Sequence, residues 1–159
     1  CENSGLESLS DDYRIVGRPA AAAGDPQEKS QMNRTMLRAK IHRIRVTECD
    51  VEYEGSLTLD RELMEQASMV PYERVEVYDI DNGNRFATYL IEGEPGSGAC
   101  CVNGAAARLV SEGDKLILAS YVTLEDDDVP QHRPRVVLVG EGNRIKLAKD
   151  YESAGVRVN

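Results

Sequence analysis

Residues 37–46, Leu37-Arg38-Ala39-Lys40-Ile41-His42-Arg43-Ile44-Arg45-Val46, decide how this chain folds. Leu37, Ala39 and Ile41 alternate with Arg38, Lys40 and His42. That is the two-residue period of a strand with one face against a core. The apolar phase then slips to Ile44 and Val46, which predicts a bulge or crossover in this stretch.

The same signals recur on either side. Asp60 is expected to cap a short helix ending near Ala67, with Leu63, Met64 and Ala67 turned inward. Val75 and Val77 lead to Asn82-Gly83, a hairpin turn signal, and residues 86–91 form the return strand. A glycine-rich loop at residues 93–98 precedes a short strand at 100–102, and residues 105–110 read as a helical turn. Residues 116–123 form the most apolar strand, residues 125–128 a solvated acidic loop, and residues 136–139 a last strand. Many short strands with few helices imply a mainly β chain, a small closed barrel.

The 159 residues suffice for one core without covalent staples. Nineteen basic against 28 acidic residues give a formal charge of −9, which argues against nucleic acid as a partner. An anionic ligand would need locally placed cations, and Lys40 and Arg85 are the candidates. The four cysteines show no Cys-x-x-Cys spacing and there are two histidines, so no metal site is expected and free cytosolic thiols are the better reading. No stretch approaches the roughly 20 apolar residues of a membrane helix, and no basic region leads into a hydrophobic run as in a secretory signal.

Chemistry concentrates at Tyr53-Glu54-Gly55-Ser56. A Gly-Ser bond in a strained turn can cut itself. The serine hydroxyl attacks the glycine carbonyl, and the amide becomes an ester. β-Elimination then leaves dehydroalanine, which hydrolyses to a pyruvoyl group. Glycine suits the step because it lacks Cβ and adopts backbone angles closed to other residues. The resulting ketone can form a Schiff base with an amine and draw electrons from it. By itself a Gly-Ser pair is also an ordinary turn.

Its surroundings decide between these readings. Arg34-Thr35-Met36-Leu37, Lys40-Ile41-His42-Arg43, Val46-Thr47, Tyr53-Glu54-Gly55-Ser56, Asn82-Gly83-Asn84-Arg85-Phe86-Ala87-Thr88-Tyr89 and Val102-Asn103-Gly104-Ala105-Ala106-Ala107 occur in one order. Over residues 32 to about 145 the chain thereby resembles the pyruvoyl-dependent aspartate 1-decarboxylase family, bacterial enzymes that make β-alanine for pantothenate and coenzyme A. The resemblance implies a small double-psi β-barrel with short helices, assembled as a homotetramer with sites between subunits. It also implies a cytoplasmic proenzyme that cuts itself at Gly55-Ser56 into a small β chain, 32–55, and a larger α chain from 56. L-Aspartate is the implied substrate and a pyruvoyl group from Ser56 the implied cofactor.

Site roles follow from the resemblance. Ser56 becomes the pyruvoyl group. Tyr89 donates the proton to the decarboxylated carbon, and a phenol with an ordinary pKa near 10 is protonated at neutral pH, as that role needs. Arg85 and Lys40 hold substrate charge, the guanidinium by a planar fork. Thr88 contacts substrate and supports cleavage, although strand alternation points it away from Tyr89. Gly104, Ala105 and Ala106 offer backbone N–H groups to an anion. Asn103 assists processing, while Tyr53 and Glu54 position the scissile bond. His42 reads as structural. Two departures from the family pattern are Tyr78, where tryptophan can occur, and Arg108, where histidine can occur.

Residues 1–31 contain few large apolar side chains and are expected to be a disordered extension. Met32 is expected to be the natural start, and residues 146–159 a carboxy-terminal tail. Some members of the family need an acetyltransferase-like maturation partner. Two other readings stay open on the sequence: a non-catalytic β-barrel interaction module that never cleaves, and a barrel-type transcription regulator, which the negative charge disfavours.

Overall fold

The computed structural model describes residues 32–151; the expected disorder of residues 1–31 lies outside them. Strand β1 runs from Asn33–Arg45, with Ala39, Ile41 and Ile44 fully buried. Its register against β7 (Lys115–Glu125) shifts between His42 and Ile44, where Arg43 takes φ 68. This residue absorbs the extra step, so that Ile41 and Ile44 both face the core. A second shift, between Leu37 and Ala39, left no mark on the alternation.

Seven further strands complete one sheet: β2 (Glu48–Asp50), β3 (Leu57–Asp60), β4 (Arg74–Asp79), β5 (Arg85–Gly93), β6 (Cys100–Asn103), β8 (Arg135–Val139) and β9 (Ile145–Lys149). Their order is β2-β6-β3-β5-β4-β7-β1-β8-β9. The pairs β1/β8, β2/β6 and β3/β5 are parallel, whereas the others are antiparallel. These pairings wind a mainly β chain into a small β-barrel around Ile41, Ile44, Leu57, Leu90, Leu116 and Leu118, all fully buried.

One expectation needs correction. Residues 136–139 are not the last strand, because β9 pairs antiparallel with β8 and crosses the expected boundary at 145/146. As an edge strand it keeps Ile145, Lys146 and Leu147 exposed, so it lacks a buried apolar face. The acidic run at residues 125–128 is exposed, as expected, and Asp126 accepts there from the Arg34 guanidinium at the start of β1.

The helix α1 (Arg61–Gln66) begins as expected. The Asp60 side chain accepts from Glu62 N at 2.8 Å, and Leu63, Met64 and Ala67 are buried. The same carboxylate also accepts from Gly96 N at 3.0 Å and Gly98 N at 2.6 Å. Asp60 thus fastens the glycine-rich loop, and through it the start of β6, to the helix.

The Asn82-Gly83 signal marks a real hairpin between β4 and β5. Asp79 organises its turn by accepting from Asp81 N, Asn82 N and the Asn82 amide. The amides of Asn82 and Asn84 also donate to Leu109 O, at 3.2 and 2.7 Å. Those bonds dock the hairpin on the 3₁₀ turn Gly104–Leu109 that follows β6.

Candidate active site

Residues 51–56 leave β2 and enter β3 without regular structure. Gly55 lies there at φ +148, in the half of backbone space that side chains oppose. A Cβ at Gly55 would stand 2.9 Å from Ile91 Cδ1 and 3.2 Å from Tyr53 Cε1. The angle therefore favours glycine, while the crowding comes from side-chain ends that would have to shift. Ser56, beside it, is 8% exposed.

The main chain of 103–104 closes over this bond. Asn103 N donates to Ser56 O at 2.7 Å, and the Asn103 amide reaches Thr58 Oγ1 at 3.3 Å. Gly104 has φ +60, and a Cβ on it would stand 3.4 Å from Gly55 O. Gly55, Ser56, Asn103 and Gly104, far apart in sequence, are one cluster.

Strand β5 supplies the next residues. It pairs in parallel with β3 through Leu57↔Leu90, so Ser56 and Tyr89 stand one residue before the same pair. Along β5, Arg85, Ala87 and Tyr89 are exposed, while Phe86 and Thr88 are half-buried and Leu90 is buried. Thr88 and Tyr89 point to opposite faces, as the alternation requires. Both nevertheless line one cleft of ≈ 290 Å³ with Ala87 and Arg74. Sequence reasoning missed Arg74, which is paired in register with Tyr89 and bonded to Glu76 at 2.9 Å. Only the hairpin register could have revealed it.

Arg85 is placed differently from five other arginines of this chain. Arg34, Arg38, Arg61, Arg74 and Arg135 each pair with a carboxylate. Among the described residues Arg85 has no carboxylate partner, and its Cζ lies over the Tyr78 ring, 5.0 Å from the centroid. The Tyr78 hydroxyl is 2.9 Å from that of Tyr121. This bond, ahead of burial, pushes the Tyr78 hydroxyl up to about 12. Tyr78 is therefore in contact with a candidate site residue.

The family model for aspartate decarboxylase matches residues 32–146, which include every residue of the candidate site. The chain belongs to the aspartate decarboxylase family. It is 49% identical over 118 residues to aspartate 1-decarboxylase of Ralstonia nicotianae, covering 74% of this chain and 98% of the relative. It is 50% identical over 124 residues to that of Clostridium kluyveri, covering 78% and 98%. To that of Methylibium petroleiphilum it is 50% identical over 120 residues, covering 76% and 100%.

Lys40 stands apart from the other candidates in the strand order of this aspartate decarboxylase family member. Lys40 is half-buried on β1 and pairs with Ala119, which pairs with Glu76, which pairs with Ala87. Three strand spacings thus separate Lys40 from β5, about 14 Å as measured along the curved sheet. Ala105 and Ala106 follow Gly104 in the 3₁₀ turn, and Arg108 lies in its last turn, while His42 is a half-buried strand residue between Ile117 and Leu138. Cys49, Cys100 and Cys101 are free, and burial pushes the Cys100 thiol up, keeping it protonated. Among the described residues no helix is long and apolar enough to cross a membrane.

Proposed function

We propose that this chain decarboxylates L-aspartate to β-alanine and carbon dioxide, feeding pantothenate synthesis, after cutting itself between Gly55 and Ser56. One observation carries the reading: Gly55 is held at φ +148 with its carbonyl oxygen against Gly104 and a buried serine beside it. That arrangement suits a bond whose carbonyl must be attacked by its neighbour's side chain.

The cleavage balances with water alone. The Ser56 hydroxyl oxygen bonds to the Gly55 carbonyl carbon as the C–N bond breaks, which gives an ester and frees the Ser56 nitrogen. Loss of the Ser56 α-proton expels the Gly55 carboxylate and leaves dehydroalanine. Water then replaces the nitrogen, releasing ammonia. Thr88 stabilises the oxyanion on Gly55, and the Asn103 N–H bond to Ser56 O fixes the turn as the ester forms and eliminates.

The residues here fit a pyruvoyl group at position 56, which supplies an electron sink for an amine substrate. The chain's own side chains do the rest. Arg85, without a carboxylate partner among the described residues, anchors a substrate carboxylate through its fork. Gly104, Ala105 and Ala106 present backbone close to the ligand. Tyr89, exposed at the cleft it shares with Thr88, delivers a proton to the carbon that loses carbon dioxide. Lys40 contributes its charge from a neighbouring subunit of a homotetramer, consistent with its distance from β5 in one chain.

The test is reduction with borohydride in the presence of aspartate, alongside assay of β-alanine. The fragment beginning at 56 should gain the mass of the reduced substrate adduct, and β-alanine should form. Fully cleaved protein that forms no adduct and releases no carbon dioxide would refute the reading.

A further inference from the structure

The anchoring role given to Arg85 raises the question of what holds Arg85 itself. Within one β-hairpin, Tyr78 and Arg85 are directly paired residues of β4 and β5, which places their side chains on one face. The guanidinium lies over the ring at 5.0 Å from its centroid. A half-exposed tyrosine ring on a strand is free to change rotamer, and a cation resting on it would move with it. The Tyr78 ring is tethered at its far end by the hydroxyl of Tyr121, on β7, at 2.9 Å.

We infer that Tyr121 is a positioning residue for substrate binding: its hydroxyl fixes the Tyr78 ring, and that ring fixes the Arg85 guanidinium. The inference rests on the reading of Arg85 as the carboxylate anchor. Three facts support the relay. Arg85 lacks the carboxylate partner that orients other arginines of this chain. The neutral phenol presents the electron-rich face that attracts a cation. With its hydroxyl pushed up to about 12, Tyr78 keeps that neutral form well above neutral pH. Tyr121 itself is 45% exposed, so its hydroxyl bond is not a by-product of core packing. The contact was invisible in sequence because the two tyrosines are 43 residues apart.

The measurement is the inhibition constant of succinate, a dicarboxylate without an amine, on processed enzyme, together with kcat and KM for aspartate. Tyr121→Phe removes one oxygen and keeps the ring. It should raise the succinate constant and KM about three- to tenfold, the scale of one lost hydrogen bond, and leave kcat within about twofold. Tyr78→Phe should do the same, and the double variant should be no worse than either single one. In an Arg85→Ala background, Tyr121→Phe should have no further effect, because the residue it positions is gone. Ultraviolet titration should show Tyr121→Phe shifting a high-titrating phenol to lower pH, a change that loss of activity alone would not produce.

If Arg85→Ala weakens succinate binding but Tyr121→Phe does not, the relay is wrong and the anchor stands. An equal effect of Tyr121→Phe with and without Arg85 also overturns the relay. If Arg85→Ala leaves succinate binding unchanged, the anchor reading itself fails.

Discussion

Asn103 donates its main-chain N–H to the carbonyl oxygen of Ser56 at 2.7 Å, joining the end of β6 to the residue that follows the strained Gly55. The bond is made between backbones 47 positions apart, and Gly104, the next residue, packs against Gly55 O. The candidate scissile link is therefore held from the β6 side and does not depend on its own turn alone. Each consequence below can be measured.

Gly55→Ala meets Ile91 Cδ1 at 2.9 Å and an unfavourable φ of +148. Relaxing that angle would withdraw the carbonyl from Gly104. Self-cleavage should slow by about ten- to a hundredfold, the rate equivalent of 1–3 kcal/mol of strain. Adding Ile91→Ala should recover only part of the loss, since space is restored but the angle is not. Denaturing gels over time after synthesis read the result, and cleavage at the parent rate would contradict it.

Tyr89 and Thr88 share a cleft but face opposite ways, and their variants should separate. Tyr89→Phe should cleave normally and lower kcat by about a hundredfold or more, the usual contribution of a positioned acid. Thr88→Val should slow cleavage itself. Fragment yield and kcat, measured on the same samples, distinguish the two, and unchanged turnover in Tyr89→Phe would remove its assigned role.

Asp60 satisfies three backbone N–H groups from a buried position. Asp60→Ala should cost about 2–4 kcal/mol, a lost helix cap plus charge-assisted bonds to the loop. Urea denaturation of parent and variant measures this. A loss well below 1 kcal/mol would show that water replaces the carboxylate at little cost.

The carboxyls of Asp79, Asp81 and Asp114 lie within 4.8 Å of one another below the hairpin turn. Burial pushes the Asp79 carboxyl up, with Asp114 adding to the effect, against the downward pull of the Asp81 and Asn82 N–H groups. A raised carboxyl pKa in the fold means that ionising Asp79 costs stability above that pKa, and the cost fades as pH falls from there to the ordinary carboxylate value, below which it is gone. Asp114→Asn removes the like charge while an amide oxygen can still accept from Ser111 N. It should raise the thermal midpoint at about pH 7 and lose that advantage on acidification through the carboxylate range. A midpoint no higher than the parent's at neutral pH would contradict this.

Much of the fold was legible because it rests on local rules. The alternation of Leu37, Ala39 and Ile41 and its slip gave β1 and its irregularity at Arg43, Asn82-Gly83 gave the hairpin, and Asp60 gave the helix start. Strand β9 escaped because an edge strand buries little and leaves a weak apolar pattern. The register was also hidden, since three pairs are parallel and join strands distant in sequence. The site was legible by likeness alone. Nothing in a Gly-Ser pair states its backbone angle, and nothing local places Asn103 on Ser56, Arg74 across from Tyr89, or Tyr121 on Tyr78. Those contacts follow from register, which short sequence windows do not contain.

An intact-mass spectrum of the purified, active protein tests the central claim most directly. The account predicts two polypeptides divided after Gly55, the second one ammonia lighter than a serine-terminated fragment and resistant to amino-terminal sequencing. A single unbroken chain carrying full aspartate decarboxylase activity, with an unmodified serine at position 56, would contradict it.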